Sequence, residues 1–163
     1  MRPALSTIGA VALLLAAGCG GGTGGSAAAS PSAPATSSAV NTCAKAHQSK
    51  HVAYLVVQHL SGQAIERCAG FDGDTIDGAG VMQATGIQFQ AGTAAVCQVD
   101  HEPQQFTDCT PAQPHWSLWL YTAGAWSAST VPYGQVQLHD RDALGWRYVT
   151  TAEAQPPPVP QPL

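Results

Sequence analysis

Alternation of apolar and polar side chains divides the middle of the chain into strands. "HVAYLVVQHL", His51 to Leu60, is rich in β-branched and aromatic residues and ends at Ser61-Gly62-Gln63, a turn signal; "AIERCAGF", Ala64 to Phe71, reads as the returning arm of a hairpin. "GIQFQ" and "AAVCQV" alternate in the same manner. "HWSLWLY" and "AWSASTV" flank a turn at Ala123-Gly124, and "LGWRYVT" is the last strand. Between the first hairpin and the later strands, Asp77 is placed to cap a short helix, with Val81, Met82 and Ala84 inward and Gly86 ending it in the left-handed conformation. Gly78 and Gly80 weaken that helix, so packing must hold it. The pattern predicts a small α+β domain, an antiparallel sheet with one short helix, β-grasp-like.

Both faces of the strand at 115–121 carry bulk. Alternation places Trp116, Leu118 and Leu120 on one face and His115, Ser117, Trp119 and Tyr121 on the other. Pairing across Ala123-Gly124 brings Trp126 beside Tyr121. Trp146 and Tyr148 share a face of the last strand, and Arg147 could hold an anionic ligand or stack on Trp146. Two readings stand. The aromatics fill a core short of aliphatic volume, or Trp119, Tyr121 and Trp126, with Trp146 and Arg147, form a platform for a ligand or partner.

The ends of the chain bear on its address. Arg2 and an apolar run from Ile8 to Ala17 fit a secretory signal peptide over residues 1–18, too short for a spanning helix. Leu14-Leu15-Ala16-Ala17-Gly18-Cys19 resembles the lipobox of bacterial lipoproteins, which implies cleavage before Cys19 and its modification with diacylglycerol and palmitate-type acyl chains. Residues 19–42 then read as the lipidated cysteine and a flexible Gly/Ser/Ala/Pro tether, residues 43–151 as the folded domain, and residues 152–163 as a Pro-rich disordered tail. Its polyproline could dock on a partner's aromatic groove; a solvated terminus is the plainer reading.

A formal charge of −4 gives no basic face for nucleic acid. Four cysteines in an exported domain predict two disulfides. Of the three possible pairings, the polar loop "QVDHEPQQFTD" favours Cys97 with Cys109, alongside Cys43 with Cys68.

The ordered set of motifs resembles the transcobalamin-like C-terminal domain family, in its secreted and lipid-anchored bacterial branch. The match rests on the hairpin ending in Cys68 and Phe71, on Thr75-Ile76-Asp77-Gly78 with Met82 and Gly86, and on "VCQVDHEPQQFTDC". "HWSLWLYTAGAWSAS" and "DALGWRYV" complete it over most of residues 50–150. His115 departs from the family's usual aromatic, and the loop "PYGQVQLHDRD" is less regular. In the eukaryotic carriers such a domain covers one side of a corrinoid held against a helical barrel. Residues 43–151 have no counterpart of the barrel, so the resemblance implies at most half of that cage.

Other candidate chemistry is thinner. Cys43, His47 and His51 would align on a helix as metal ligands, but an oxidised Cys43 and the lack of an evident fourth ligand argue against a zinc site. "DGDTIDG" has the wrong spacing for a calcium loop. Ser61 near His59 lacks a nucleophile elbow, and Asp140 and Asp142 around Arg141 read as a solvated turn. The expectation is a non-catalytic cell-surface lipoprotein, without metal or cofactor, that binds a small ligand, corrinoid-like by resemblance, through its aromatic sheet face. The alternative is an accessory or structural module bound to an envelope membrane protein such as a transporter.

Overall fold

The computed structural model describes residues 43–92, 95–106, 114–150 and 155–161. Cys19 and Cys109, with their expected lipidation and disulfide, lie outside the described residues. The elements run α1 (Cys43–Ala46), β1 (His51–Gln58), β2 (Ala64–Phe71), β3 (Ile76–Asp77), α2 (Gly78–Ala84), β4 (Phe89–Ala91) and β5 (Val96–Val99). β6 (His115–Thr122), β7 (Ala125–Ala128), a 3-10 turn at Tyr133–Gln135, β8 (Gln137–Leu138) and β9 (Ala143–Val149) follow.

Five strands make one sheet in the order β2-β1-β9-β6-β7. The expected antiparallel sheet is corrected to a mixed one. β1 runs parallel to β9, with Tyr54 beside Ala143 and Val57 beside Trp146, while the other neighbours are antiparallel. The burial of β1 fits its inner position, since Val52 to Val57 are all buried, as a strand covered on both faces requires.

One face, here called inner, packs Leu55, Val57, Leu144, Trp146, Trp116 and Tyr148 against α2 and the short pairs β3–β8 and β4–β5. Asp77 caps α2 by accepting from Gly80 N at 2.6 Å, and Gly86 follows with φ of 62°, both as the sequence predicts. The inward set differs by one residue. Ala84 is exposed, and Thr85 takes the place beneath Val81 and Met82. Its hydroxyl is satisfied within the helix end by Val81 O at 2.9 Å and Met82 O at 3.1 Å, so a polar side chain is buried there at little cost.

The outer face holds a second cluster, Val52, Tyr54, Cys68 and Ala143 with α1, against which Tyr121 and Trp126 pack. A disulfide joins Cys43 of α1 to Cys68 of β2. Cys97 is also disulfide-bonded. α1 ends at Ala46 and His51 stands in β1, so Cys43, His47 and His51 share no helix and the metal alignment does not form.

Candidate functional site: the outer sheet face

Register builds the site. Cys68, Tyr54, Ala143, Tyr121 and Trp126 are successive Cα partners across all five strands, so they form one row on one face. The next row is Glu66, Val56, Gly145, Trp119 and Ala128, and the third holds Gln58, Arg147 and Ser117. Tyr121 and Trp126 meet edge to face at 5.2 Å between ring centroids. Four of the five predicted binding residues, Trp119, Tyr121, Trp126 and Arg147, are thus brought together. Trp146 is not. It pairs with Leu118 on the inner face, is only 3% exposed and donates from Nε1 to Met82 Sδ at 3.3 Å. Its assignment to the platform is corrected: strand alternation turns it away from Arg147 and into the core.

Residues 155–161 occupy this face, in place of the solvated tail that composition predicts. Pro157 and Pro160 are buried, whereas Gln155, Pro156, Pro158, Val159 and Gln161 are exposed. Arg147 Nη1 donates to Pro156 O at 3.0 Å, and Gln161 N donates to Glu66 Oε2 at 3.0 Å. Gly145 makes room for the segment. A Cβ there would stand 2.6 Å from the Trp126 ring and 2.8 Å from Pro157 Cγ. The central strand is therefore the floor of a groove, with Trp126 on one flank and Pro157 over the glycine.

The fit is incomplete in its polar chemistry. The indole nitrogens of Trp119 and Trp126 are buried without a hydrogen-bond partner among the described residues, as is Glu66 Oε1. Burial holds the Glu66 carboxyl above its ordinary range, against the opposing effect of the Gln161 hydrogen bond.

Beyond Pro160 the groove opens into a cavity of about 920 Å³, floored by Tyr54 and Tyr121 and rimmed by Lys50, Asp140 and Arg141. A smaller cavity of about 380 Å³ lies on the inner face beside Trp116, Leu118, Tyr133 and Trp146.

The remaining polar candidates hold loops. His59 Nδ1 lies 2.8 Å from Glu102 Oε2 and Nε2 lies 3.2 Å from Asp100 Oδ2, so both ring nitrogens face carboxylates, and Ser61 Oγ accepts instead from Gln63 N. This clamp pins the loop after β5 to the first hairpin, and Glu102 O accepts from Trp116 Nε1 at 2.9 Å. The nearby Tyr148 phenol is held above its ordinary range by burial and then by the Glu102 carboxylate. Asp140 Oδ1 accepts from Val52 N at 2.9 Å and Asp142 Oδ2 from His139 N at 2.8 Å, which spends both carboxylates on the turn at Arg141. Asp72, in the sequence that suggested a calcium loop, accepts from Lys50 N at 3.0 Å. Among the described residues no three His, Cys, Asp or Glu side chains converge as metal ligands.

Sequence reasoning missed Gly145, Tyr54 and the docked segment. The available signals were a glycine amid bulky residues in a strand and two prolines three apart. Compared with known proteins, the chain matches no family model, no curated protein and no solved structure.

Proposed function

We propose that the domain is a non-catalytic binding module, carried on the outer side of the cell membrane by lipid on Cys19, which engages its ligand through the outer sheet face. One observation carries the reading: the groove over Gly145, between Trp126 and Arg147, accommodates an apolar segment and buries Pro157 and Pro160. Aromatic side chains supply contact area at small entropic cost, and Arg147 supplies a main-chain anchor. Such a surface suits a protein partner, for example an envelope membrane protein.

A second reading takes a small ligand in the adjoining cavity, whose tyrosines and mixed rim of Lys50, Arg141 and Asp140 suit an apolar body bearing polar groups. A corrinoid belongs to this reading through the resemblance to transcobalamin-like domains, and kinship with that family is likewise part of the proposal.

The test places a photo-crosslinking residue at Ala128, in the Trp119 row, or at Ser127, which points to the opposite face, in the protein in its native membrane. Mass spectrometry should find an adduct from position 128 alone. Polypeptide mass supports the first reading and small-molecule mass the second; equal labelling from both positions, or none, removes the outer face as the binding surface.

A further inference from the structure

Resting on the reading that this face is the binding surface, we propose that its ligand is an extended, proline-rich segment of another polypeptide, and that Gln155–Gln161 is a cis competitor for the same groove. A polyproline II strand repeats every three residues, so positions three apart share a face. Pro157 and Pro160 have that spacing and are the two buried residues of the segment, while the residues between them face outward. Recognition of this type reads prolines in aromatic-lined grooves. Trp126 and the bare Gly145 backbone form one such pocket. The second lies by Tyr54 and Tyr121, which line the cavity that Pro160 borders.

The anchors are general rather than private to this tail. Arg147 grips a main-chain carbonyl, that of Pro156, which any sequence presents. The tail also leaves the Trp119 and Trp126 indole N–H groups buried without an acceptor among the described residues. Unmet buried donors are a cost that a segment with carbonyls in better register removes. The tail's advantage is its tether: only Thr150–Ala154 separate it from β9, which gives it an effective concentration that a free segment must overcome.

The experiment compares the intact chain with one lacking residues 155–163 and with full-length P157S/P160S, each with oxidised cysteines and near-UV circular dichroism to show folding. The probes are a synthetic peptide of residues 155–163, the same peptide with both prolines replaced by serine, and decaproline. Intrinsic tryptophan fluorescence reads binding.

The two altered chains should bind the native peptide and decaproline saturably, the intact chain about tenfold or more weakly, and the serine peptide should fail. If truncation unfolds the domain, P157S/P160S carries the comparison. Equal affinity of intact and altered chains overturns the cis competition but leaves the binding face standing. Equal binding of the serine peptide overturns proline recognition. A folded altered chain that binds none of the peptides, yet still gives the face-specific adduct at position 128, overturns this inference alone; loss of both removes the reading beneath it.

Discussion

Pro157 sits over Gly145 in space that any other residue would need for its own Cβ, 2.8 Å from Pro157 Cγ. Gly145→Ala should therefore displace the proline-rich segment and turn the Trp126 ring. Relief of glycine's entropy cost in a strand offsets only part of the overpacking, leaving a loss of about 1–2 kcal/mol. Hydrogen exchange at the Gln161 amide, which Glu66 holds in the docked segment, should be faster in the variant, and acrylamide should quench Trp126 more readily. Unchanged exchange would show that the segment does not depend on the bare backbone.

Trp146 and Met82 make a second dependent pair. Met82→Leu preserves volume but removes the sulfur that accepts from the buried indole N–H at 3.3 Å. A loss of about 1–2 kcal/mol is expected from the unpaired donor, whereas Met82→Ala, which also opens a cavity, should cost about 3–5 kcal/mol. Urea denaturation reads both. No loss in Met82→Leu would place the whole effect in packing.

Removing the Cys43–Cys68 bridge by Cys43→Ala/Cys68→Ala should cost about 3 kcal/mol, as its sequence separation of 25 implies for unfolded-state restriction. α1 is short and docks beside β2, so hydrogen exchange should rise at the His47, Gln48 and Ser49 amides, which donate to α1 carbonyls, before it rises in β1. A uniform increase would mean that α1 and the sheet open together.

Glu66 gives the fold a pH dependence of definite sign. Burial raises its pKa from the ordinary 4.5, the Gln161 hydrogen bond opposing. The folded chain thus keeps this proton at pH values where the unfolded chain has lost it. The contribution is most favourable below the unfolded value and declines as pH rises through the raised folded value, above which it is flat. Glu66→Gln keeps an acceptor for Gln161 N and removes the charge. It should flatten that part of the stability–pH curve and be the more stable form above the window. An unaltered slope in denaturation measured across pH 4 to 8 would move its origin to another group.

Much of this architecture is legible along the chain because its signals are local. β2 spans the Ala64–Phe71 segment that alternation marks, and Asp77 and Gly86 bound α2 as their side-chain chemistry requires. The parallel pairing of β1 with β9 has no local signature, since it depends on which distant strands become neighbours. Alternation along β9 already separates Trp146 from Arg147, but the face that Trp146 takes has the same non-local origin. Its position relative to Trp119 is set by the register Trp119–Gly145, which sends Trp146 inward with Leu118 and Arg147 outward with Ser117. No window of sequence around either tryptophan contains that register. The docked segment was hidden differently: composition averages over Pro156–Pro160, whereas burial depends on the three-residue spacing of Pro157 and Pro160.

The parallel neighbours β1 and β9 also govern when the molecule can complete itself. A chain synthesised from its N-terminus delivers the β1–β2 hairpin early, yet the partner for Tyr54 arrives only with Ala143. Until then one edge of β1 is open, and apolar side chains such as Leu55 and Val57 await the Leu144 and Trp146 surface. Pairing strands so distant in sequence makes closure a late and comparatively slow event. The vulnerable interval for aggregation or cleavage therefore lies before β9 emerges, and a chain stopped short of Ala143 would lack the centre of its sheet rather than its margin.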